Sequence, residues 1–323
     1  MVRYIVHIGR HKTGTTSVQQ ALAENSRHLQ ASGYLYPTLH SRNSAHHPLA
    51  KLVKAGDRET VATIKKTLDR EAVENNCHTV ILSSEVFQQV RRPKILSEFG
   101  KDTEIICYIR NPGEYLISTY QQIVHANYFR STPEEYYEAY DFNLVPFLRS
   151  WVRAWKDSFK IRIFDREMLL DKDIVSDFFS VVGLNNPSSK VSVQANPSLA
   201  GNLFFFKLFL NRMMQGGKTP DPIVSQFESL SNQNPKWRGR LDLGDALRRK
   251  IEDFSSVQEE EVRKAFGITF PHRQQGFLSG IDTSTLREDF DHMCNALHAF
   301  KSDLRTEDFV RAADDYLTDR NAR

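Results

Sequence analysis

The chain begins with an apolar, β-branched run, Val2 to Ile8, that breaks at once into Gly9-Arg-His-Lys-Thr-Gly14 and then into Thr15-Thr16-Ser17. A strand of this composition is buried on both faces, which calls for helices above and below a mainly parallel sheet. Thr15 to about Ala31 carries helical periodicity through Val18, Leu22 and Leu29. The alternation then repeats. Gly33 to Tyr36 reads as a second strand closed by Pro37, and the polar stretch Thr38 to Ala50 as loop. Asp57 to Asn76 is an amphipathic helix, His78 to Glu85 a third strand, Thr103 to Arg110 a fourth and Lys160 to Asp165 a fifth, with a helix from Asp171 to Val182. Pro112 sits where a helix opens. Strands and helices alternating at this spacing mean βαβ units. From Asn196 onward the pattern turns helical: Leu199 to Met214, Leu247 to Phe266 and about Ser284 to Leu317, with Gln215 to Pro222 as a linker.

Lys+Arg 43 against Asp+Glu 40 leaves a net charge of +3 over 323 residues. No overall basic field advertises nucleic acid, so any anion site must be local. No apolar stretch approaches membrane-spanning length, and the strand-like start leaves no signal peptide. Cys77, Cys107 and Cys294 are odd in number and widely spaced, with no CxxC or Cys/His ligand pattern. They read as reduced core thiols of a cytoplasmic protein.

A loop between a buried strand and a helix offers backbone N–H groups and the positive end of the helix dipole to an anion. Gly9 and Gly14 permit close approach and positive φ, Lys12 adds a point charge, and Thr15 and Thr16 add hydroxyls. The order is not that of a P-loop, G-x-x-x-x-G-K-[ST], because Lys12 precedes the second glycine. A second constellation is Arg110-Asn-Pro, with Ser118 eight residues on. Arg110 ends a strand, where open α/β sheets place their ligands, and its planar fork suits a phosphate.

Together, "HIGRHKTGTTSVQQAL" and "IRNPGEYLISTYQQ" resemble the 5′-phosphosulfate loop and the 3′-phosphate motif of sulfotransferases that use 3′-phosphoadenosine 5′-phosphosulfate. The first is most similar to a bacterial group of that family. The resemblance covers residues 2–268 and is specific in these two motifs. "IRIFDREMLLDKDIVSDFFSVVGL" and "FSSVQEEEVRKAFG" are weakly similar to further family segments. It implies a P-loop-NTPase-like three-layer α/β/α fold over residues 1–271, with residues 272–323 a helical extension packed on the same domain. It further implies that Arg10, His11, Lys12, Thr13, Gly14, Thr15, Thr16 and Ser17 hold the 5′-phosphosulfate, that Arg110 and Ser118 hold the 3′-phosphate, and that no metal is needed. Phe164 stands where the family often has a nucleotide-facing tyrosine, and Lys236 to Arg240 (KWRGR) is a substitute for the family's late R-K-G element.

Sulfuryl transfer needs a group to neutralise the leaving oxygen, here Lys12, and a base within hydrogen-bond reach of the acceptor. Glu85, ending the third strand, is the leading base; His46 and His47 compete with it, and His7, inside a strand, reads as a core histidine. The acceptor is a hydroxyl or amine of a carbohydrate or small molecule. The tyrosine-dense segment His125 to Phe142 would either stack on sugar or pack beneath a loop. Two alternatives stay open: a P-loop kinase or NTPase, for which "VILSSE" would serve as the metal-binding strand, and a nucleotide-binding protein of the same fold without chemistry.

Overall fold

The computed structural model describes residues 2–185, 198–214, 217–271, 278–297 and 304–322. Along the chain, β1 (Arg3–His7) leads to α1 (Thr15–Glu24), α2 (Ser26–Ala31), β2 (Tyr34–Leu35), α3 (His47–Ala55), α4 (Arg58–Glu74) and β3 (Thr79–Ser83). Two 3-10 segments follow, Glu85–Gln89 and Pro93–Phe99. Next come β4 (Glu104–Ile109), α5 (Pro112–Ala126), α6 (Pro133–Glu138), α7 (Leu144–Trp155), β5 (Phe159–Ile163) and α8 (Ile174–Val181). The remainder comprises α9 (Gly201–Met213), α10 (Asp221–Gln233), β6 (Arg240–Leu241), α11 (Asp245–Phe266), β7 (Leu278–Ser279), α12 (Leu286–Ala296) and α13 (Thr306–Ala322).

The protein is α/β, with a five-stranded parallel sheet in the order β2-β3-β1-β4-β5. Every strand expected from the sequence is in it. From β1 the chain leaves toward β2 on one side of the sheet, whereas from β4 it leaves toward β5 on the other. Loops that diverge in this way open a crevice beyond the carboxyl ends of β1 and β4, the usual place for a ligand in an open α/β sheet.

Side-chain alternation along β1 explains why both faces are covered. Ile5, with Ile81 and Tyr108, packs in one cluster with Val18 and Leu22 of α1, Leu29 of α2 and Phe178 of α8. Tyr4 points the other way, its hydroxyl 2.8 Å from Asp69 of α4 and its ring 5.3 Å from Phe99. Burying each such side chain contributes about 1.5–3 kcal/mol, so the strand's apolar run is spent on both layers.

The chain divides into two compact units, Met1–Asn111 with Asn143–Ala195 and Glu261–Pro271, and Pro112–Phe142 with Asn196–Glu260 and His272–Arg323. The division is therefore not a single cut at residue 271. In the second unit, Phe290, Met293 and Leu297 at the end of α12 and Phe309 of α13 share one core with Leu203, Phe205 and Phe206 of α9. Phe206 lies 5.6 Å from each of the Phe290 and Phe309 rings. The C-terminal helices are part of that core rather than an extension packed on a finished domain. Lys207, pointing the other way from α9, is buried and donates to the carbonyls of Val124 at 3.0 Å and Asn127 at 3.3 Å, fixing the end of α5. Burial pushes its ammonium down to about 7.

Several boundaries differ from the sequence reading, each for a local reason. The helix expected to run to Ala31 breaks at Asn25, whose side-chain amide donates to the Ala21 carbonyl at 2.8 Å and ends α1. The stretch read as loop to Ala50 becomes α3 at His47, with Pro48 in the first turn. α8 starts three residues later than Asp171, because Asp173 accepts from Ser176 N at 2.8 Å and acts as its cap. Three further helices went unread, α6, α7 and α10. α7 carries Leu144, Leu148, Trp151 and Trp155 at helical spacing behind the Asn143 cap, and α10 opens inside the expected linker at Asp221–Pro222. Positions 215–216 of that linker, and 298–303 of the expected final helix, lie outside the described residues.

Candidate functional site

β1 delivers Gly9–Gly14 to the carboxyl edge of the sheet. Gly9 is required by crowding, since a Cβ there would lie 2.0 Å from the Thr15 side chain. Gly14 caps α1 at φ 72°, and a Cβ would meet Phe164 at 2.9 Å. Lys12 also takes a left-handed conformation, φ 61°, which is unfavourable for a side-chain-bearing residue and marks a loop held in shape by its surroundings. One such restraint is Arg110, after β4, whose guanidinium donates to the Lys12 carbonyl at 3.4 Å and lies 5.9 Å over the Phe164 ring. No side chain caps α1 and the helix has no acidic residue of its own in its first turn; the negative charge at that end comes from Glu85, bonded to Thr15.

The hydroxyls of this segment divide into two sets. Thr13 is buried and bonds the Arg10 carbonyl at 2.7 Å, and Thr15, also buried, donates to Glu85 at 2.5 Å. Thr16 is exposed and Ser17 half-buried. Arg10 turns inward, 1% exposed, with its guanidinium 5.3 Å over Phe147 of α7. His11 and Lys12 are half-buried. Burial lowers the His11 pKa; Glu85 opposes this, while Arg10, His47 and Lys12 add to it.

Glu85 follows β3, adjacent to β1, and is the centre of the polar network. Its Oε1 accepts from Thr15, and its Oε2 accepts from Gln19 Nε2 at 3.2 Å and faces His47 Nε2 at 3.8 Å. Burial acts to raise its pKa, but the Thr15 hydroxyl, its own backbone N–H, Gln19 and the nearby His47 outweigh burial and hold it below the usual glutamate value. The group is thus a carboxylate at neutral pH. His47 is the accessible partner, with its side chain 38% exposed and Nδ1 2.8 Å from Ser84 Oγ. His46 is spent on structure: its Nδ1 accepts from Ser83 N at 3.1 Å, so Nε2 carries the proton donated to the Pro37 carbonyl at 2.8 Å. Burial lowers its pKa to about 4, and it is not a candidate base. His7 is a core histidine as expected, 2.9 Å from Ser83 Oγ and lowered to about 4 by burial.

The sequence reading named Glu85 and His47 but missed Gln19, Ser83 and Ser84, which hold them. A signal existed for Gln19, which lies four residues after Thr15 and therefore on the same face of α1. Ser118 lies buried in α5, within the second unit. In that unit Arg240 pairs with Glu114, and Gln121 donates to the Gly239 carbonyl at 3.0 Å. Glu114, Ser118 and Gln121 share a helical face, so the Lys236 to Arg240 segment runs beside the face that bears Ser118. The tyrosine-dense segment resolves toward packing: Tyr120, Tyr136, Tyr140 and Phe142 are linked by ring contacts of 5.2–6.5 Å. Cys77, Cys107 and Cys294 are buried and are not joined in disulfides. Among the described residues, no group of three or more His, Cys, Asp or Glu is placed to hold a metal ion, and no helix is long and apolar enough to cross a membrane.

Fold and site together define an α/β protein with a glycine-bounded loop, an arginine and a carboxylate–histidine pair at the carboxyl edge of a parallel sheet. The chain is 30% identical over 128 residues to an uncharacterized protein of Archaeoglobus fulgidus; the match takes in 38% of this chain and 35% of that protein. No protein-family model matches it, and no solved structure matches it.

Proposed function

We propose that the protein is a sulfotransferase of P-loop-like three-layer build, moving a sulfuryl group from 3′-phosphoadenosine 5′-phosphosulfate to a hydroxyl or amine of a carbohydrate or small molecule. The observation that carries this reading is the convergence of the Gly9–Gly14 loop, the Arg110 guanidinium and the Glu85–His47 pair at one sheet edge. The acceptor oxygen attacks sulfur in line, the bond from sulfur to the bridging oxygen breaks, and adenosine 3′,5′-bisphosphate leaves. Lys12 neutralises the charge growing on the bridging oxygen, while the loop amides with Thr16 and Ser17 hold the sulfuryl oxygens. Glu85 takes the acceptor's proton beside His47. Arg110 takes the 3′-phosphate as a planar donor fork. Thr15 is shared between two tasks: to reach an oxyanion in the loop its hydroxyl must leave Glu85, and the carboxylate, losing a donor, becomes a stronger base.

One observation favours a second reading. A threonine at the end of the loop bonded to a carboxylate just beyond the neighbouring strand is also how a phosphoryl-transfer enzyme prepares a magnesium site. Thermal shift separates the two. Adenosine 3′,5′-bisphosphate at a hundredfold excess over Kd is expected to stabilise the protein by about 2.7 kcal/mol without magnesium. The shift should exceed that of ADP or ATP, and should be lost in Arg110→Ala. Equal shifts with ADP, or a shift that needs magnesium, would favour phosphoryl transfer.

A further inference from the structure

We infer that Gln19 is a positioning residue that holds the Glu85 carboxylate toward His47 while the Thr15 hydroxyl is engaged elsewhere. The inference rests on the transfer reading of the same site. Gln19 is 4% exposed, and its Nε2 lies 3.2 Å from Glu85 Oε2 and 3.3 Å from Ser83 Oγ. An ionised carboxylate only accepts, so the amide nitrogen must face it, and the two N–H groups suffice for both oxygens. Ser83 ends β3 and is bonded through Oγ to His7 of β1 at 2.9 Å. The Gln19 amide is thus anchored against the sheet, and an anchored donor is what keeps a base in register.

The two carboxylate oxygens are held differently. Oε1 rests on Thr15, which opens α1 directly after the loop and has a competing use toward an oxyanion held there. Oε2, the oxygen beside His47, rests on Gln19, which lies one helical turn deeper in α1 and has none. When the threonine turns to a bound oxyanion, Gln19 is the side-chain donor that remains on the carboxylate among the described residues. The titratable groups that face Glu85 are His7 on β1, His11 on the loop, Tyr36 after β2 and His47 at the start of α3.

The test compares wild type, Gln19→Met, Gln19→Glu and Glu85→Gln in the full chain. Two quantities are read: affinity for adenosine 3′,5′-bisphosphate, and hydrolysis of 3′-phosphoadenosine 5′-phosphosulfate, with water as acceptor, between about pH 5 and pH 9. Gln19→Met keeps the length and loses the amide. It should bind the nucleotide within about twofold of wild type, lose about ten- to a hundredfold in kcat with KM little changed, and move the acid limb of the profile to higher pH. Gln19→Glu puts two carboxyls on one proton and should move that limb further up; it also answers the question should the methionine variant fail to fold. A wild type without turnover, or a Glu85→Gln protein as active as wild type, overturns the transfer reading and takes the inference with it. Turnover that dies in Glu85→Gln but keeps its kcat and acid limb in both Gln19 variants overturns the inference alone.

Discussion

His46 and His47 are neighbours of identical chemistry, and the fold gives them opposite tasks. His46 is buried with both ring nitrogens committed to backbone groups, whereas His47 reaches solvent and Glu85. What separates them is the turn from loop into α3, which points successive side chains in different directions. Gly14 shows the same dependence on context. Its left-handed backbone and the Phe164 ring 2.9 Å from a would-be Cβ leave no room for a side chain. Gly14→Ala is expected to cost about 1–3 kcal/mol for the backbone conformation, more with the clash, and to abolish nucleotide binding. Urea denaturation with and without adenosine 3′,5′-bisphosphate reads both effects; an alanine variant with wild-type stability would mean that the loop relaxes out of the observed geometry.

At the scale of elements, buried histidines tie the strand ends together. His46 joins the end of β3 to the segment after β2, and His7 of β1 is bonded to Ser83 of β3. Burial lowers both from 6.5 to about 4 in the folded protein. The unfolded chain therefore binds more protons than the folded one between these values, and stability falls as pH drops from about 6.5 to about 4. At 1.36 kcal/mol per pH unit the loss is about 3 kcal/mol for each histidine. Urea midpoints measured at about pH 7 and pH 4.5 should show it. A flat profile would mean that the folded protein accommodates the imidazolium forms.

For the whole molecule, the two compact units are both discontinuous in sequence. Removing residues 272–323 would strip Phe290, Met293, Leu297 and Phe309 from the core that contains Phe205 and Phe206. Each such loss costs several kcal/mol, so the truncated chain is expected to lose the cooperative unfolding of the second unit and to aggregate. Calorimetry of the truncated protein checks this. Retention of a full-length unfolding profile would restore the picture of an extension packed on a finished domain.

The five strands, the glycine-bounded loop and most helices were legible because they are written in local patterns: apolar runs, period-3.6 faces, Pro and Gly at ends. α10 went unread because its opening Asp221-Pro222 reads as turn when taken alone. Gln19 went unread because a glutamine on a helix face carries no signal until something lies opposite it.

Local sequence is enough to establish that the chain is α/β, where the five strands of the main sheet lie, and that a glycine-bounded loop carrying a lysine separates the first strand from the first helix, since each depends on residues close together along the chain. Tertiary packing alone brings Thr15, Gln19, His47 and Glu85 into one network, leaves His46 outside it, and makes the last two helices complete a core that begins at Leu116 of α5. The reason is physical: strand order places β1 between β3 and β4, and that adjacency comes from long-range pairing and burial, which no short window of sequence contains.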